Sequence, residues 1–145
     1  MRKTTISMTL VALVLVAAGC GGGGSSSSGQ LSASELKSKA NQICSDLNDK
    51  TKNVSKSEDF DAALKATNDA IKKLKALQPP ASMKAKYQAF LDELDAGVPV
   101  LTKLVKAVDD KNLSEATKLV PQADQVDRRA NAAARAIGLD SCAQE

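Results

Sequence analysis

The 145-residue sequence contains no histidine and no tryptophan, and it has one tyrosine and two phenylalanines. Without histidine, histidine-centred triads, imidazole acid–base dyads and zinc sites that use imidazole are excluded. Catalysis would have to rest on carboxylates or lysines. The three aromatics, Phe60, Tyr87 and Phe90, fall on apolar helical stripes, which leaves no stacking platform for bases or sugars. The glycines sit in residues 19–29, at Gly97 and at Gly138, so no glycine-rich phosphate loop exists. After residue 19 no apolar segment is long enough to cross a bilayer of about 30 Å as a helix.

What is there begins with Arg2 and Lys3, followed by an apolar run at residues 8–18 (MTLVALVLVAA) that is too short to span a membrane and reads as a secretory signal peptide. Ala17, Ala18 and Gly19 lead directly into Cys20. This arrangement resembles the bacterial lipobox, in which the cysteine thiol receives a diacylglycerol and becomes the mature N-terminus. Lipoboxes usually carry leucine three residues before the cysteine, whereas Ala17 stands there. Ala17 and Gly19 would also suit ordinary signal peptidase, so cleavage without lipidation is the competing reading. Residues 21–30 (GGGGSSSSGQ) have almost no side chain to bury and predict a random-coil tether of about 17 Å root-mean-square length. The expected division is 1–19 signal peptide, 20–30 lipidated cysteine and tether, and 31–145 folded domain.

Cysteine arithmetic agrees with that division. Three cysteines are an odd number, but acylation of Cys20 leaves Cys44 and Cys142 as a pair. Loss of Arg2 and Lys3 with the leader also leaves 18 basic against 17 acidic side chains. A chain so close to neutral does not advertise nucleic acid as a partner.

The domain carries four amphipathic segments. Ser32 and Glu35 are spaced for a capping box, with Leu31 and Leu36 as a hydrophobic staple, opening a first helix whose stripe is Leu36, Ala40, Ile43 and Leu47. A second helix, capped by Ser55 or Ser57, carries Phe60, Leu64, Thr67, Ile71 and Leu74 before Pro79 and Pro80 stop it. A third, from near Ser82, carries Met83, Tyr87, Phe90, Leu94, Gly97, Leu101, Leu104 and Val108. Ser114 is the expected cap of a fourth, with Leu119, Ala123, Val126, Ala130, Ala133 and Ile137 on its stripe and a Schellman ending at Gly138 and Leu139. Short connections between such segments predict an all-α, up-down-up-down four-helix bundle, with the third and fourth helices kinked at Pro99 and Pro121. Antiparallel first and fourth helices would let the tail after Gly138 fold back to Cys44 and form a disulfide. Two separate thiols or a metal pair are the alternatives, and neither finds a histidine to assist.

Candidate sites are few. The two prolines, each depriving a helix of one hydrogen bond, could open a cleft at Gly97, Pro99, Pro121 and Ala123 for a small apolar ligand or lipid. Asp92, Glu93 and Asp95 alternate around a helix and read as a solvated face rather than a cation site. The segment DDKN, residues 109–112, lacks the spacing of a calcium loop and reads as a turn. Lys72, Lys73, Lys75, Lys84 and Lys86 flank the turn between helices two and three, and Arg128, Arg129 and Arg135 lie toward the end of helix four. All eight are candidates to face anionic lipid headgroups, with ordinary solvated lysine as the competing reading.

ANQIC (residues 40–44), LQPPA (residues 77–81) with YQAFLDEL (residues 87–94), and IGLDSCA (residues 137–143) together resemble a group of small, largely uncharacterised lipoproteins of high-GC Gram-positive bacteria. The resemblance covers nearly the whole chain. It implies an exported helical domain with one bridge, and it carries over no active site, cofactor or metal. The function expected is that of a non-enzymatic interaction or structural module. The module would be held by diacylglycerol on Cys20 at the outer face of the plasma membrane, with an envelope protein as its possible partner. The alternative is a binding protein for a small apolar ligand or lipid.

Overall fold

The structure, a computed structural model, describes residues 29–54 and 56–143. The expected signal peptide, Cys20 and the expected tether up to residue 28 lie outside the described residues. The described residues are all-helical, with four helices, α1 (Ala33–Thr51), α2 (Ser57–Ala76), α3 (Lys84–Asp109) and α4 (Leu113–Arg135), followed by a 3-10 turn at Asp140–Cys142.

Local chemistry sets most of the boundaries. The Ser32 hydroxyl accepts from Glu35 N at 3.2 Å and the Glu35 carboxylate accepts from Ser32 N at 2.8 Å, which completes the expected capping box. The Ser32 backbone N–H holds the Glu35 carboxyl below its ordinary value. At α2 the N-cap position belongs to Lys56 rather than to a serine, and the Asp59 carboxylate accepts from Lys56 N at 3.2 Å. An acid three residues into the helix thus serves the first turn. At α4 the cap is Asn112 instead of Ser114. Its Oδ1 accepts from Glu115 N at 3.1 Å, and Lys111 at φ 54° supplies the left-handed step out of α3. The Schellman ending forms as its sequence predicts. Gly138 at φ 74° lets Gly138 N reach Arg135 O at 3.1 Å and Leu139 N reach Ala134 O at 3.0 Å.

Two contacts bring three chain segments to one end. Leu31 N donates to Gln78 O at 2.9 Å, seating the chain just before α1 beside the turn between α2 and α3. Asn41 Nδ2 reaches Gly138 O at 3.4 Å, placing the end of α4 there too. At this end, which the expected tether would enter, Leu36, Leu74, Tyr87, Phe90 and Leu139 are essentially inaccessible and form the core with Ala40, Cys44, Ala134 and Ile137. Tyr87 and Phe90 sit with ring centroids 6.1 Å apart. The Tyr87 hydroxyl donates to Leu74 O at 2.8 Å, the carbonyl in the last turn of α2, so the one buried phenol is satisfied.

Packing runs in chain order, α1 on α2, α2 on α3 and α3 on α4. No Cα of α1 lies within 8 Å of a Cα of α4; the C-terminal turn stands between them and touches both. The ring of helices is therefore closed by this 3-10 turn, and only over part of its length. Beyond that point Phe60, Leu64, Leu101, Leu104 and Val108 remain half-buried, and Leu113 and Val120 are 76% and 47% exposed.

Candidate functional site

The C-terminal tail is fixed by one covalent and several polar contacts to α1. Cys44 and Cys142 are joined, with S–S 2.02 Å and Cα atoms 5.0 Å apart. Asn41 and Asn48 lie three residues before and four after Cys44, so all three share one helical stripe. Asn41 Oδ1 accepts from Ser141 N at 2.9 Å, and Asn48 Nδ2 donates to Ser141 O at 2.9 Å. Two asparagines thus bracket the bridge and satisfy the backbone of the segment that delivers Cys142. Sequence reasoning placed the disulfide but missed this clamp, although the N-x-x-C-x-x-x-N spacing within NQICSDLN was available to find it.

Where α1 and α4 stay apart, a cavity of about 230 Å³ opens. Leu47 and Asn48 from α1, Thr67 and Ile71 from α2, Leu94, Gly97 and Leu101 from α3, and Ala123, Val126, Ala130 and Asn131 from α4 line it, with Cys142 at one side. A second cavity of about 290 Å³, between α2, α3 and the start of α4, also reaches Thr67 and Leu101, so the two adjoin. The Thr67 hydroxyl donates to Ala63 O at 2.9 Å and is satisfied within its own helix. At Gly97 a Cβ would stand 3.0 Å from Val126 Cγ1, so the absence of a side chain permits the approach of α4 to α3.

Gly97 and Ala123 therefore line a cavity as the sequence predicts, whereas Pro99 and Pro121 are exposed and do not. The reason is angular. Two residues along a helix is about 200° around it, so a proline two positions from an inward residue faces outward. Each proline lacks its N–H on the solvent side, and neither interrupts its helix. Thr67, Leu101 and Ala130 were read as stripe positions but not as cleft walls, and Asn131 was not singled out; small residues interleaved with large ones on the α2 and α4 stripes were the available signal.

The polar edge of the first cavity is acidic and amidic. Asn131, 8% exposed, donates from Nδ2 to Asp127 at 3.0 Å, and Glu93 accepts from Arg129 Nε at 2.8 Å. The carboxylates of the Asp92–Asp95 stretch diverge: Asp92 accepts from Gln88 and Asp95 pairs with Lys75 at 2.7 Å. Among the described residues no group of three acids or cysteines could hold a metal ion, and no buried side-chain nitrogen or oxygen lacks a partner.

The candidate headgroup-facing cations divide. Lys75 is engaged with Asp95, Arg129 with Glu93, and Lys72 lies 3.9 Å from Asp69. Lys73, Lys84, Lys86 and Arg128 are exposed and take part in no ion pair with described residues. Of these, Lys73, Lys84 and Lys86 flank the turn on which Leu31 is seated. Arg135 occupies the last turn of α4.

Comparison with protein-family models, curated proteins and solved structures finds no match for the chain.

Proposed function

We propose that the chain is a lipid-anchored, non-enzymatic module of the bacterial envelope, displayed outside the plasma membrane by diacylglycerol on Cys20. The observation that carries this reading is the Cys44–Cys142 bond. It accounts for two of the three cysteines, is at home in an oxidising compartment, and leaves Cys20 alone behind an apolar run and three small residues. The seat of Leu31 on Gln78 supports a tether that delivers the domain with its α2–α3 turn toward the anchor. Lys73, Lys84 and Lys86 would then meet anionic headgroups, each contributing up to about 1 kcal/mol when close to the surface.

Mass spectrometry of the protein extracted from its own membranes tests the anchor. A mature N-terminus at Cys20 carrying a diacylglycerol is the expected result; a chain beginning elsewhere, or an unmodified Cys20, overturns it.

A second reading is favoured by a specific observation, the cavity at Gly97 and Ala123. With its walls built mainly of Leu, Ile, Ala and Val, it supports retention of a small apolar molecule between the helices. Under this reading the same anchored domain is a binding protein, and a discrete mass retained under native conditions is its expected sign.

A further inference from the structure

We propose that the two adjoining cavities act as one trench for a single-chain amphiphile, whose hydrocarbon tail lies toward the far end of the bundle and whose uncharged, hydroxyl-bearing head sits beside Asn48, Asp127 and Asn131. This rests on the apolar-ligand reading above and specifies it.

Continuity is the first argument. Thr67 and Leu101 line both cavities, so the two meet at these side chains. Along α3 the walls extend from Leu94 to Val108, about 21 Å at 1.5 Å per residue. A hydrocarbon zigzag built of C–C bonds of about 1.5 Å advances about 1.3 Å per carbon, so about 16 carbons match that length. Cross-section is the second argument. The two volumes, together on the order of 500 Å³, spread over that length give a section of about 25 Å², wide enough for one hydrocarbon chain and far too narrow for a helix about 10 Å across.

Polarity sets the direction. The far part is lined by Phe60, Leu64, Leu104, Val105, Val108 and further small apolar residues, and its one hydroxyl, on Thr67, is already bonded to Ala63 O. A polar head buried there would have no partner. At the other end Glu93, Asp127, Asn48 and Asn131 supply oxygen atoms, and the cation nearest in the contacts, Arg129, is held by Glu93. Such an edge accepts hydrogen bonds from hydroxyls and repels a carboxylate or phosphate.

The test uses the full chain with Cys20→Ser, which removes the need for detergent, and measures binding by native mass spectrometry and titration calorimetry. The probes are a 1-monoacylglycerol with a 16-carbon chain, its 8-carbon counterpart, palmitate, and naphthalene as a compact apolar probe. The 16-carbon monoacylglycerol should bind one to one, about 100-fold tighter than the 8-carbon form and about 10-fold tighter than palmitate. Thr67→Phe, which blocks the junction, should weaken the 16-carbon probe about 100-fold and leave naphthalene bound. Ala116→Phe at the far end should do the same and serves if Thr67→Phe fails to fold. Binding of naphthalene with no dependence on chain length overturns the trench and leaves the apolar-ligand reading standing. Absence of binding by every probe overturns both. Palmitate binding as tightly as the monoacylglycerol overturns the assigned head. A dimer abolished by Thr67→Phe, with no amphiphile bound, assigns the trench to a second copy of the chain and overturns the proposal.

Discussion

The tether end and the far end of this bundle are made from the same four helices, yet they are built differently. At the tether end Leu36, Tyr87, Phe90 and Leu139 are inaccessible, the tail is bonded to α1, and asparagines satisfy the intervening backbone. At the far end α1 stops at Thr51, no disulfide or tail contact is present among the described residues, and Phe60, Leu64 and Leu104 are only partly buried. A chain with few aromatics has gathered its main buried cluster and the Cys44–Cys142 link in the half that holds Leu31. The apolar space begins beside Asn48 and Cys142 and extends into the other half. The covalent and amide fastening is thus gathered at one end, while the apolar wall reaches from it to the more loosely covered other end.

The largest expected effect comes from removing the staple. Cys44→Ala with Cys142→Ala opens a link across 98 residues, and denaturant unfolding should show a loss of up to about 4.7 kcal/mol in the chain-entropy model. The loss should disorder the tail and the α1 contacts first, erasing the difference between the two ends. Next, Phe90→Ala should cost about 3–5 kcal/mol, whereas Phe60→Ala in the half-buried far wall should cost roughly half as much by the same measurement. Equal costs would mean that both ends are packed alike.

Burial pushes the Tyr87 phenol up to about 12. The unfolded chain gives up this proton near pH 10 while the folded chain keeps it. Stability is therefore fully present below about pH 10 and falls by about 2 kcal/mol as pH rises toward 12, which a pH series of melting temperatures would show. Tyr87→Phe should flatten that fall. Ser32→Ala should cost about 1 kcal/mol through the lost cap, without touching the far end. The smallest effect is expected at Lys75→Ala, where a 2.7 Å ion pair with Asp95 is about half exposed on both sides and contributes less than about 1 kcal/mol.

Local hydrogen-bond chemistry was the part of the fold most legible in the sequence. Ser32 with Glu35, and Gly138 with Leu139, each specify a helix end through atoms a few residues apart, and both form as read. Where two local solutions compete, reading failed: Asn112 and Ser114 can both cap, and only the left-handed Lys111 selects Asn112. Stripe positions told which faces turn inward, so Phe60, Tyr87 and Phe90 were all read as core; Tyr87 and Phe90 are buried, whereas Phe60 is only partly so. Stripes do not tell how far apart two inward faces stand, and the gap between α1 and α4 was invisible for that reason. The cleft was half legible. Gly97 and Ala123 lie on inward stripes, but a proline two residues away cannot share that face, and the remaining walls, Thr67 and Ala130 among them, are defined only once four helices meet.

Native-state hydrogen exchange on the full chain tests the division most directly. Amides of α1, of α2 near Leu74, of α3 near Phe90 and of α4 near Ala134 should exchange only through global unfolding, while those near Leu64, Leu104 and Val120 exchange through a smaller opening of lower free energy. Uniform protection along all four helices, or slower exchange at the far end than around Cys44, would contradict the account.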